Sequence, residues 1–158
     1  MKNESGQALV EAAFSLPLML ALLLGVAELG KMIYCSIEVT NAARAATQYA
    51  AMNGGAFTTS GALDAAGMLN AAQGDSLNMG THVGWATGFP PPSYSCTCSG
   101  TGTPSCNVAG SFPSGCTGSH LIITVTAYTQ GTFTPDIHVV GLPTSYKLIG
   151  RSVQEVLQ

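Results

Sequence analysis

Charge is what this chain has least of. Of its 158 residues, 8% are Asp, Glu, Lys or Arg against 46% hydrophobic, and only five are Lys or Arg. Recognition of a phosphate backbone needs clustered cations, so no nucleic-acid partner is expected. From Ser76 to Pro135 there is no Asp, Glu, Lys or Arg at all. His82, His120 and His138 have no neighbouring carboxylate or nucleophile, and Asp64, Asp75 and Asp136 stand isolated. General acid/base chemistry works through titratable pairs, so the chain does not read as an enzyme. A glycine-rich phosphate cradle and a C-x-x-C-H haem motif are both missing, and no cofactor is expected. With aromatics at 7% and nineteen glycines, the core should be light and rich in loops.

What the sequence does have is a long apolar run near its start. "AAFSLPLMLALLLGVA", residues 12–27, is uncharged, and Ala8 to Ala27 gives twenty mostly apolar positions. That length matches a helix crossing a hydrocarbon core of roughly 30 Å. Pro17 should kink this helix rather than end it, because leaving helix altogether costs more in lipid. Helical spacing continues through "KMIYCSIEVTNAARAATQYAAM" to Met52. Met32, Cys35, Val39, Ala42, Ala43, Ala46, Tyr49 and Ala50 fall on one arc, with Tyr34, Glu38, Asn41, Arg44, Thr47 and Gln48 elsewhere. Leu29, Ile33 and Ile37 form a further apolar strip that calls for a second packing partner, lipid or another chain. From Ala8 to Met52 the helix would measure about 68 Å, more than twice the membrane thickness, so it must leave the bilayer. Glu28 and Lys31, at i and i+3, read as an interfacial anchor.

"NGG" at Asn53 to Gly55 stops the helix, and "SGALDAAGMLNAAQGD" predicts a shorter second one. Alternation predicts strands at 81–87 and 120–128, the latter with Leu121, Ile123, Val125 and Ala127 on one side. Two more are expected at 132–142 and 145–157, separated by Pro143, with Gly150 as a bulge. A small antiparallel sheet packed on the emerging helix would hide both apolar faces. Residues 86–119 contain five Pro, six Gly and twelve Ser or Thr with no charge, so this long loop needs something else to order it.

That something is expected to be disulfides. Cys96, Cys98, Cys106 and Cys116 cluster downstream of an export-like segment, implying an extracytoplasmic domain stapled outside the reducing cytosol. A bridge from Cys96 to Cys98 would be strained. Two pairings remain open: 96 with 106 and 98 with 116, or 96 with 116 and 98 with 106. The C-x-C spacing is tighter than structural zinc sites commonly use, so no metal is expected. Cys35, alone on the apolar arc, reads as a small hydrophobe.

Glu11 is the carboxylate whose position asks for a partner, and "GQALVEAAFSLPLMLALLLGVAELGKMIYCSIEVTNAARAATQYAA" supplies a context. With Gly6 before Gln7, Glu11 in the fifth place after Gly6, "LPL" at Leu16 to Leu18, "GVAELG" and "NAARAATQYAA", it resembles the TadE-like family of pilin-like proteins of the tight-adherence (Tad) type IV pilus system. The resemblance covers about a third of the chain, with a less specific echo in "ITVTAYTQGTFTP" and "GLPTSYKLIGRSVQ". It implies cleavage by a prepilin peptidase between Gly6 and Gln7, and assembly in which Glu11 pairs with the free amino terminus of a neighbour. Partners would be copies of the chain or other pilins through the N-terminal helix. The protein would sit in the inner membrane before assembly and in an extracellular filament or at the cell surface afterwards.

The expected fold is therefore α+β and type IV pilin-like. Residues 1–6 form a leader, 7–53 the kinked membrane and filament-core helix, and 54–158 an extracytoplasmic domain carrying the stapled loop 86–119. Ala12 stands where an aromatic is common in that family, with Phe14 two places on. Two rival readings are a secreted domain released by signal cleavage after Ala27 and a membrane-tethered Cys/His metal protein.

Overall fold

The computed structural model describes residues 4–52, 63–79, 83–100, 120–138 and 141–157. One helix, α1 (Glu4–Met52), runs without interruption through Pro17. A second, α2 (Ala65–Asp75), starts where the Asp64 carboxylate accepts the Gly67 amide proton at 3.0 Å, satisfying one orphan donor of its first turn. The Tyr49 hydroxyl donates to the other oxygen of Asp64 at 3.1 Å and ties α2 to α1.

Four antiparallel strands follow: β1 (Gly84–Trp85), β2 (Ser93–Cys98), β3 (Leu121–Phe133) and β4 (Tyr146–Leu157). The long β3 is central. β4 pairs along one edge of it, while β2 and β1 share the other edge end to end. Ile123, Val125, Ala127, Thr129, Gly131 and Phe133 of β3 are buried, and the residues that alternate with them are only partly covered or exposed. The buried face carries α1. Val39, Ala42, Ala43, Ala46 and Ala50 meet it fully covered, with Met32, Cys35 and Tyr49 packed alongside. The arc read from the sequence is thus the arc that packs.

Four expectations are corrected. The strands expected at 120–128 and 132–142 are one strand ending at Phe133, because Thr129 and Gly131 keep the inward alternation across the expected gap. After Phe133 the described chain leaves the sheet, past Pro135 and a Gly141 with φ 95°. Strand β2 lies inside what was read as loop; Tyr94, Cys96 and Cys98 alternate with exposed Ser93, Ser95 and Thr97. Gly150 is not a bulge, since the β3–β4 register runs unbroken from Ile122 opposite Leu157 to Phe133 opposite Tyr146. Glu38 and Thr47, placed off the packing arc, are buried: the sheet covers more of the helix than that arc.

Gly150 has a different task. A Cβ there would collide with the Val39 carbonyl, lying 2.7 Å from its carbon and 2.9 Å from Thr129 Oγ1. Gly131 is similar, with Val39 Cγ2 2.7 Å from where a Cβ would sit. These gaps let the helix backbone settle against the strands, and the Thr129 hydroxyl donates to the Val39 carbonyl at 2.7 Å. One turn pair further on, Thr47 and Ser152 share a buried hydroxyl contact of 2.8 Å. Because the obstacle at Gly150 is backbone, Gly150→Ala should destabilise the domain by about 2 kcal/mol or more, within the range for overpacking. Gly84→Ala, which meets open space, should change stability by less than about 1 kcal/mol. Thermal melts of the two variants in detergent check the contrast.

Candidate functional site

The N-terminal part of α1 extends beyond the sheet. Between Gly6 and Ile37 every residue is exposed except Glu28, Met32 and Cys35, which are partly covered. Leu9, Phe14 and Leu23 are 72%, 78% and 65% exposed, far more apolar surface than a solvated face carries. The segment is long and apolar enough to cross a membrane. Leu29, Ile33 and Ile37 remain open at 61%, 60% and 53%, so the extra strip read from the sequence lies free on the side away from the sheet.

Gly6 and Gln7 sit in the first turns of α1 with no neighbour near the Gly6 Cα face. Glu11 is exposed one turn later, its Oε1 accepting from the Gln7 side-chain amide at 3.3 Å. Among the described residues nothing from the sheet domain reaches it.

At the other end of the apolar segment Lys31, which still feels the Glu28 charge, takes a further partner. The Lys31 ammonium pairs with the Asp136 carboxylate, from the chain just after β3. That ammonium holds the Asp136 carboxyl below its ordinary value, first through the hydrogen bond and then through its charge. Glu28 is left with its Oε2 buried and without a hydrogen-bond partner. With Leu24 of α1 it lines an apolar groove of about 420 Å³, whose other wall is formed by residues that follow β3, among them Pro135, Ile137, Leu142 and Pro143. Sequence reasoning missed this groove because its two walls are more than a hundred residues apart.

Higher on the helix, Asn78 donates to the Tyr34 hydroxyl oxygen at 2.6 Å and to Glu38 Oε1, while Glu38 Oε2 has no partner. Burial, followed by the nearby Glu38 charge, pushes the Cys35 thiol up, which keeps it protonated and unreactive. Among the described cysteines, Cys35 is a free thiol and Cys96 and Cys98 are not. Cys106 and Cys116 lie outside the described residues, as does the choice between the two pairings. No three His, Cys, Asp or Glu side chains gather among the described residues.

With this geometry in view, the chain's relatives can be placed. Residues 6–48 match the family model described as TadE-like protein, the family that the motifs of the same stretch resemble. The match covers the exposed helix and most of its contact with the sheet. No curated protein and no solved structure matches the chain.

The Lys31–Asp136 pair gives a pH expectation. Asp136 has a lowered value, so its contribution is present above the ordinary carboxylate pKa of about 3.9 and is lost as pH falls through the folded-state value. Proteolysis at residues 134–138 should accelerate only in strongly acidic buffer, below about pH 4. Asp136→Asn should show the faster cleavage at neutral pH and lose that acid dependence.

Proposed function

We propose that the chain is a structural pilin-like subunit, a minor pilin or pseudopilin of a Tad-type pilus or secretion machine, that assembles through its N-terminal helix. The observation that carries this reading is the helix itself: a TadE-like segment whose residues 6–37 are almost wholly uncovered by the chain's own domain. A rod of this length is too apolar for water and too long for a bilayer alone. It suits a subunit that waits in the inner membrane and later exchanges lipid for protein around the same surface.

In this scheme a prepilin peptidase cuts between Gly6 and Gln7, and Glu11 meets the freed ammonium of a neighbouring subunit. Either charge alone in an apolar bundle is costly, whereas the pair offsets its own desolvation. The domain stands outside the membrane, with Cys96, Cys98, Cys106 and Cys116 bridged across the uncharged loop, which faces outward for surface contact. No catalytic role is assigned.

Intact mass and N-terminal sequencing of protein from the native envelope or sheared filaments test the processing step. The expected start is Gln7; a start at Glu28 would mean a cleaved signal and would refute the reading. Glu11→Ala should leave the protein in the membrane pellet. Its share of the filament fraction should drop by about a hundredfold, matching the roughly 3 kcal/mol lost when one member of a buried ion pair is removed. Unchanged filament incorporation would rule out the pairing.

A further inference from the structure

The groove beside Glu28 sits at a particular depth. Its helix wall runs from Ala21 to Met32, so it begins six residues before the apolar segment ends at Ala27, about 9 Å inside it at 1.5 Å per residue. The opposite wall comes from the domain. Ile137 and Leu142 on that wall are 40% and 60% exposed. The part of the domain after β3 therefore reaches alongside the membrane-spanning length of α1 and presents apolar tips there. In the membrane-anchored stage proposed above, the groove's lower end would open at the level of acyl chains and its upper end at the level of headgroups.

At that upper end the groove holds one acceptor without a donor. Glu28 Oε2 is buried and has no hydrogen-bond partner, because Lys31, although it feels the Glu28 charge, donates its hydrogen bond to Asp136. A buried carboxylate oxygen left without a donor is costly, and what would satisfy it is a cation carrying N–H groups, attached to something apolar enough to fill the rest of the groove.

We propose that this groove is a lipid site: it seats one phospholipid with a primary ammonium headgroup, the ammonium donating to Glu28 and an acyl chain lying between Leu24 and the wall formed by Pro135, Ile137, Leu142 and Pro143. The inference rests on the membrane-anchored stage of the proposed function and adds a ligand to it. Bound lipid would fix the angle at which the domain stands on the membrane, because both walls belong to it jointly. Extraction of the helix into a filament would require the site to empty.

The test uses the full chain, reconstituted in vesicles of equal parts phosphatidylethanolamine, phosphatidylcholine and phosphatidylglycerol, released in mild detergent and weighed by native mass spectrometry. The choline headgroup has the same charge but no N–H, so it isolates the hydrogen bond. One retained phosphatidylethanolamine per chain is expected, favoured over phosphatidylcholine about tenfold, the ratio one charge-assisted hydrogen bond supplies. Glu28→Gln should bring the ratio close to one, Glu155→Gln on β4 should leave it unchanged, and Ile137→Ser should reduce retention of every lipid without altering the ratio. Equal retention of the two headgroups, a preference that survives Glu28→Gln, or a lipid-free dimer lost on Glu28→Gln would overturn the proposal, the last by showing a second copy in the groove. Each outcome is independent of the mature N-terminus, so the lipid site and the pilin reading fail separately.

Discussion

The close approach of the α1 backbone to β3 and β4 is the constraint on which the rest of the structure depends. It is made by what is missing at the contact. The helix offers Ala42, Ala43, Ala46 and Ala50, and the strands answer with Gly131 and Gly150 under Val39. Small residues on both sides reduce the apolar area that each contributes, so the interface gains less from transfer out of water than one built of Leu and Ile. It recovers part of this through buried polar links that only a short separation allows, Thr129 to the Val39 carbonyl and Thr47 to Ser152. Those links are directional, and they fix the axial position of the helix on the sheet as well as its distance.

Fixing the axial position matters because α1 has two environments and one boundary between them. From about Glu38 onward it belongs to the domain; before Glu28 it is bare. Between these lies a short stretch where Lys31 reaches Asp136 and Tyr34 reaches Asn78. Each contact there joins the helix to a segment that is distant in sequence, so the boundary is set by tertiary structure and not by the helix pattern. A one-residue slip of the sheet along α1 would rotate the packing arc by 100° and take the alanines off the strands. The domain consequently sits at one height on the rod, and with it the exposed strip at Leu29, Ile33 and Ile37.

How much of this could be read beforehand follows the range of the interactions. Periodicity of 3.6 gave the length of α1 and its packing arc, and alternation gave the inner face of β3, because both patterns are local. The break expected between Tyr128 and Thr132 failed for a tertiary reason: Gly131 is a strand residue that has room for no side chain beneath Val39 and Met79. Gly150 misled in the same way. Strand β2 was hidden by its surroundings, since "SYSCTC" lies in a run rich in Pro, Gly, Ser and Thr, where its cysteines were read as staples of a loop and not as the covered side of an alternation. The site followed the same division. Gly6, Gln7 and Glu11 are legible as a linear motif, whereas the Lys31–Asp136 pair and the groove at Glu28 exist only once the chain after β3 folds back on the helix.

The two carboxylates of the apolar segment illustrate what that fold-back adds. Glu11 and Glu28 look alike in the sequence, each closing one end of an uncharged run. In the structure Glu11 is exposed and, among the described residues, accepts a hydrogen bond only from Gln7, which leaves it open to a partner from outside the chain. Glu28 is enclosed by the chain's own domain and still lacks a donor, so its environment is already shaped before any partner arrives. An open carboxylate in an apolar face can choose among neighbours and suits a contact made during assembly. An enclosed one accepts only what fits the groove, and suits a ligand held while the subunit waits in the membrane. On the proposed reading the helix would carry two polar handles for two stages of its life, and the sheet domain is what makes their surroundings different.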